Sequence, residues 1–461
     1  MSSEQIVENK MGTMSVGKLL VNMSTPMMIS MLVQALYNIV DSIFVAMIEE
    51  DALTAVSLAF PIQNLMIAFA TGTAVGINAL VSRHLGEKNF KRANQVAVNG
   101  VWLALFTAIV FCVGISLTTD AFFHALTKDE KIIAYGSTYL HIIGWLCFGV
   151  FFQIVFEKLL QSTGKTVFSM TTQIVGAVIN VILDPMLIFG IGPFPEMGVA
   201  GAAIATIFGQ TVGTILAIYF NVHFNKELHL DFRKYRLSGE IVGHIYSIGA
   251  PSIVMMAIGS VMNFGLNKIL LMFSSTAAAV FGVYFKLQSF VFMPIFGMNN
   301  GLIPIVAYNF GAAKPDRIKR AIYLASRAAV IIMVVGTTLF MLFPAFFLGL
   351  FSASEQMTAM GVIAMRIISV HFILAGVSIV CSSVFQALGH GVLSMVMSIV
   401  RQLVVLLPSA YVLALAGGIN AVWWAFPIAE LASLTLALLF MRRIMRNEIA
   451  PLYKKAEVAA E

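Results

Sequence analysis

Read for apolar and polar positions, the chain divides into apolar stretches of about 20 to 30 residues, separated by short charged or Gly/Pro-containing breaks. They fall at about 16–48, 52–82, 93–118, 132–157, 166–190, 198–224, 240–272, 277–309, 318–348, 358–387, 391–416 and 419–445. Each is long enough to cross a hydrocarbon core of ~30 Å as a helix, and none shows the short alternation of an outer-membrane strand. The pattern predicts an all-α integral membrane protein of twelve spans.

The breaks alternate in charge. Arg83, Lys88, Lys91 and Arg92 mark one, followed by Lys165, by Lys226, Arg233, Lys234 and Arg236, by Lys314, Arg317, Lys319 and Arg320, and by Arg442, Arg443, Arg446, Lys454 and Lys455 at the end. The intervening breaks carry Glu49, Glu50 and Asp51, then Asp120, Asp129 and Glu130 beside Lys128 and Lys131, then Glu196 and Glu355. The positive-inside rule places both termini in the cytoplasm, and an even number of spans agrees. The cell (inner) membrane is the expected location of this multi-pass protein.

The pattern also repeats. Pro26 and Pro251 lie 225 residues apart, and the same offset carries Asn38 onto Asn263, Gln63 onto Gln288, Gly86 onto Gly311, Gln161 onto Gln386 and Gly164 onto Gly389. It also carries the pair Gly72/Gly76 onto Gly297/Gly301, and GxxxG pairs let helix backbones approach closely. Six spans per copy give two parallel six-helix lobes, residues 1–224 and 240–461, joined by a basic linker at 225–239. Repeats of this kind place a substrate between the lobes.

Composition narrows the class. Hydrophobic residues make up 59% of the 461, charged ones 11%, and mean hydropathy is +0.91. A soluble domain carries roughly a quarter charged residues. Glu4 and Glu8 precede a first stretch too long for a signal peptide, so it is expected to remain as a span. The net charge of +6 is spent on topology, which points to a lipid bilayer and not to nucleic acid. Cys112, Cys147 and Cys381 lie far apart in apolar stretches and read as packing residues. No metalloprotease, serine-hydrolase or dinucleotide motif occurs, and Gly164-Lys165-Thr166 has Leu159 where a phosphate loop needs glycine. An enzyme, a cofactor and ATP-driven transport are not expected. Energy, if used, is expected from an ion gradient.

Against this background Asp41, Asn180 and Asp184 stand out, since an ionised side chain at membrane depth costs at least a few kcal/mol. At about 1.5 Å per residue, Asp41 lies some 37 Å along the first span and Asp184 some 27 Å along the fifth, both toward the outer side. Asn180 and Asp184 share a helical face. Pro185 disfavours helical geometry at Asp184, and Pro26 is the expected bending point of the first span. The three polar residues suit a proton or Na⁺, which prefers oxygen ligands. Gln34, Tyr37, Asn38, Tyr139 and Gln153 are a candidate polar network around them. A blander alternative has Asp184 capping a helix and Asp41 meeting the outer interface. The offset puts Leu266, Val405 and Ser409 where the first lobe has Asp41, Asn180 and Asp184, so the acids belong to one lobe. Elsewhere, Glu157, Lys158, Lys268 and Arg366 are expected to snorkel from span ends, Arg401 and Glu430 to pair, and Lys286 to line a cavity or pair locally.

With these residues in place the chain resembles the MATE (multidrug and toxic compound extrusion) transporters, along nearly its whole length. Pro26 and Asp41, Asn180 with Asp184-Pro185, and Gln161-Ser-Thr-Gly164 echoed by Gln386-Ala-Leu-Gly389 carry the resemblance. The absence of acids from the seventh, eighth and tenth spans departs from the NorM-type branch and is similar to the DinF-like or MepA-like branches. The resemblance implies export of small organic cationic drugs in exchange for H⁺ or Na⁺ by alternating access, antibiotic resistance, and a monomer without a cofactor. In related first-lobe sites a threonine of the sixth span helps hold the cation; here Ala202 and Ala203 occupy that region and Thr206 sits one turn on. Alternatives from other classes are a lipid-linked precursor flippase of the same superfamily, for which Lys286 speaks, and a non-transporting receptor or intramembrane enzyme.

Overall fold

A computed structural model describes residues 9–351 and 353–458; Glu4 and Glu8 lie outside the described residues. These are helical throughout, with no strand among the described residues. In the first half the helices are α1 (Lys10–Thr13), α2 (Val16–Ala46), α3 (Glu50–Gly86), α4 (Phe90–Leu126), α5 (Glu130–Trp145), α6 (Phe148–Ser162), α7 (Thr166–Ile188) and α8 (Val199–Phe224). After residues 225–238 come α9 (Gly239–Leu271), α10 (Ser275–Gly311), α11 (Pro315–Leu342), α12 (Pro344–Gly349), α13 (Glu355–Ser369) and α14 (Phe372–Ala387). Then α15 (Gly391–Ile399) runs through a π-helical stretch, Val400–Leu406, into α16 (Leu407–Val422), and α17 (Ala425–Ile444) continues through a second, Met445–Ile449, into α18 (Ala450–Val458).

Ten of these helices, counting those continued through a π stretch as one, are long and apolar enough to span a membrane, and two bent pairs bring the number to twelve. The pairs are α5 with α6, bent by 47°, and α13 with α14, bent by 48°. The sequence predicts a single span for each pair, 132–157 and 358–387. The cause is a tightened turn: Cys147 N–H bonds to Gly144 O at 3.4 Å, and His371 N–H to Ile368 O at 3.0 Å, the spacing of a 3₁₀ turn. α16 kinks at Gly418, between the eleventh and twelfth stretches, where a φ of +70° takes the backbone out of the helix.

The 225-residue offset is written into the backbone. Helix starts at Glu50, Phe90, Glu130 and Thr166 recur at Ser275, Pro315, Glu355 and Gly391. Left-handed residues recur too: Lys88 (φ +56°) with Ala313 (φ +51°), and Gly164 (φ +84°) with Gly389 (φ +93°). A non-glycine residue rarely adopts that conformation, so its recurrence at one offset marks a copied turn.

The chain packs as two compact units, one of residues 29–85 and 89–250, the other of residues 1–28, 86–88 and 251–461. Each sequence half thus gives its leading helical segment to the other's unit, with the changeover next to Pro26 and at Pro251. The glycine pairs explain the seating. A Cβ on Gly76 would lie 2.2 Å from Ile245 O, and one on Gly249 would lie 2.7 Å from Gly72 O, so α9 begins against the bare stripe of α3. In the other unit Gly297 and Gly301 admit the α2 backbone at Met27–Met28 and Met23–Ser24, and Ser24 Oγ donates to Met298 O at 3.1 Å.

Candidate functional site

Within residues 29–250 the acids predicted from sequence meet. The carboxyl groups of Asp41 on α2 and Asp184 on α7 lie within hydrogen-bonding distance of each other. An ionised carboxylate only accepts, so two in contact require a proton or a cation between them. Asp184 is fully buried and Asn180 2% exposed. One oxygen of each acid, Oδ1 in both cases, is buried with no hydrogen-bond partner.

Asn180 links the pair to α8. With its amide nitrogen toward Asp184, it donates to Oδ2 at 3.1 Å while its oxygen accepts from Thr206 N–H at 3.1 Å and Thr206 Oγ at 3.3 Å. Thr206 therefore touches the site, one turn beyond the position where sequence comparison looked for it. The α7–α8 approach that allows this rests on two glycines: a Cβ on Gly209 would lie 2.6 Å from Gly176 O.

Tyr37 and Tyr139 complete the surroundings, each within electrostatic reach of both acids. Tyr139 is buried, and its hydroxyl accepts from Gln63 Nε2 at 3.2 Å. Gln63 entered the sequence reading only as a repeat position; its polarity inside an apolar stretch was the signal available. Gln34 and Asn38 sit on the same helix as Asp41 but are exposed, and no side-chain hydrogen bond is made by either among the described residues. Gln153 belongs elsewhere, donating to Glu157 Oε1 at 2.9 Å. Both prolines lie inside uninterrupted helices, so Asp184 is helical and not at a break.

The snorkelling expected of Glu157 and Lys158 does not occur. Both are buried. Glu157 also accepts from Thr172 Oγ at 2.9 Å and from Gln173 Nε2 at 2.8 Å, while Lys158 Nζ donates to Gln161 Oε1 at 2.8 Å. The first turns of α7 supply the donors that make burial of the acid affordable. Lys268 instead lies over the Phe264 ring at 5.3 Å, Arg366 donates to Met341 O at 3.2 Å, and Lys286 is exposed. In the other unit Arg401 Nη1 meets Glu430 Oε2 at 3.2 Å, the pairing expected from sequence.

The MatE family model matches residues 26–186 and again residues 251–412, two matches whose starts differ by the offset found above. The chain belongs to the MatE family. Among its relatives, multidrug export protein MepA of Staphylococcus haemolyticus is 27% identical over 436 residues, covering 94% of this chain and 95% of its own. MepA of Staphylococcus saprophyticus is 26% identical over 428 residues, covering 93% and 94%. A solved structure of a multidrug resistance MATE family transporter of the MOP superfamily, in an outward-facing conformation, superposes with a TM-score of 0.90 at 26% identity, covering 97% of this chain and 99% of that one. This MatE chain fits the MepA-like branch and is a multi-pass membrane protein. Ion coupling is general in the MatE family, and its members need no cofactor.

Proposed function

We propose that this protein exports small cationic amphiphilic compounds across the bacterial inner membrane in exchange for H⁺, with Na⁺ as the alternative ion, from a monomer with both termini in the cytoplasm. The MepA relatives are multidrug export proteins, which supports the export reading. It makes the chain a transporter and not an enzyme. The observation that carries the coupling is the contact between the buried Asp184 and the half-buried Asp41, each with an oxygen left without a partner.

Chemistry follows from the amide. With Asp184 ionised, Asn180 gives it an N–H and holds Thr206 through its oxygen. Protonation at Asp184 Oδ2 removes the acceptor for that N–H, so the state of the acid bears on the link from α7 to α8. A Na⁺ would take oxygens of Asp41 and Asp184, with Asn180 and Thr206 completing the set. An ion moves a two-state transporter only by binding one state better, so it competes with drug for the unit that holds both. Pro26 and Pro185 bring no backbone N–H to their helices, which makes them the proposed bending points as the sequence halves 1–224 and 240–461 move.

The test is ethidium efflux from proteoliposomes after a pH jump or a Na⁺ jump. Asp184→Asn, folded and inserted, is expected to lose efflux driven by either gradient. Unchanged transport in that variant overturns the assignment.

A further inference from the structure

The basic linker after α8 is fixed in place. Asn94 and Asn99, both buried on α4, accept the backbone N–H groups of His229 at 2.7 Å and Ser238 at 2.8 Å, and Asn99 Nδ2 donates to Arg236 O at 3.3 Å. Asp231 accepts from the N–H groups of Arg233 at 3.0 Å and Lys234 at 3.1 Å, closing a turn. The fixed segment and α4 form an open cleft of about 470 Å³ lined by Lys91, Gln95, Lys234, Tyr235, Arg236 and Leu237. Three cations line it and no carboxylate does. None of the three takes part in an ion pair among the described residues.

The same face of α4 continues outward from the cleft as apolar surface. Trp102, Phe106, Ile109, Val113 and Leu117 follow at steps of three or four and are all exposed. From Trp102 to Leu117 the stripe is about 22 Å long, close to the length of a fatty acyl chain. Phe232 of the linker packs edge-on against Trp102 with centroids 6.1 Å apart, an aromatic pair where head groups meet acyl chains. The second half has no counterpart. The offset turns Lys91 and Trp102 into Asp316 and Arg327, and Asp316 is engaged by the Tyr453 hydroxyl at 2.6 Å.

We infer that this cleft and the α4 face above it bind one anionic phospholipid, its phosphate among Lys91, Lys234 and Arg236 and an acyl chain along Trp102 to Leu117. Basic side chains meeting a membrane surface recognise phosphate in this way, and the apolar stripe selects a lipid over a free anion. The inference rests on the chain being a membrane protein; the cytoplasmic placement proposed above decides only which leaflet supplies the lipid. Bound there, the lipid would brace the linker against α4.

Native mass spectrometry of the full chain in detergent, with phosphatidylglycerol, phosphatidylcholine or inorganic phosphate added, tests this. Phosphatidylglycerol is expected to be retained in preference to phosphatidylcholine, and loss of each cation to weaken it about fivefold. Lys91→Gln/Lys234→Gln/Arg236→Gln is expected to bind the two lipids equally; Lys234→Gln alone gives the same reading at smaller size if the triple variant folds poorly. Brominated phosphatidylglycerol is expected to quench a fluorescence component absent from Trp102→Phe. Undiminished preference in the triple variant, or inorganic phosphate binding as tightly as the lipid, overturns the proposal. Asp184→Asn is expected to keep the lipid preference, so failure of the transport reading leaves this one standing.

Discussion

The two copies of the repeat set buried charge on corresponding helices in opposite ways. In the first, Gly176 and Gly209 bring α7 against α8, and Asp184 joins Asp41 with no basic partner. In the second, the offset puts Arg401 at the position of Gly176 and Glu430 at that of Ala205, and the two form an ion pair. The backbone there widens into the π-helical stretch Val400–Leu406, which gives the larger side chain room. One copy neutralises its buried charge internally and the other leaves it to be neutralised from outside. The proposed ion exchange therefore falls to the first copy, whose acids have no such internal pair.

The contrast can be broken by experiment. The largest effect is expected from Asp184→Asn, with gradient-driven efflux falling to the level of empty liposomes, while Arg401→Met/Glu430→Met retains transport. Glu430→Ala alone should destabilise by about 2–3 kcal/mol, less than an enclosed pair because 30% of the Arg401 side chain stays accessible. The double replacement should recover most of that in a thermal-unfolding assay. Gly209→Ala should cost about 1–3 kcal/mol by pressing a methyl against Gly176 O, with the melting temperature as readout. The smallest effect is expected at the α2–α3 turn, where hydrogen bonds from Lys131 and then Tyr135 hold the Glu49 carboxyl below its ordinary range. A depressed acid stabilises above its unfolded value and loses that contribution as pH falls through the folded one. Glu49→Gln should therefore shift the melting temperature slightly at pH 7 and not at all in strong acid.

The spans, the offset and the pairing of Arg401 with Glu430 were legible because each leaves a local mark: a run of apolar residues, a repeated proline, two opposite charges with no other partner. The meeting of Asp41 with Asp184 was legible as a shared chemistry, though not as a contact. Glu157 and Lys158 were misread because their donors, Thr172, Gln173 and Gln161, look like ordinary polar residues near a span end until α6 folds back on α7. Gln63 was passed over for the same reason. The two bends escaped notice because neither contains proline; a 3₁₀ turn at Cys147 or His371 is set by packing, which no local pattern records.

The exchanged leading segments bear on how the chain is made. Ser24 finds its acceptor, Met298 O, 274 residues later. At 5–20 residues per second, roughly 14–55 s of translation separate the two. Through that interval the leading part of the first span has no permanent seat, and the bare stripe of α3 likewise waits for Ile245. A ribosome halted after the first six spans would therefore leave an unfinished half, and the two halves must mature together.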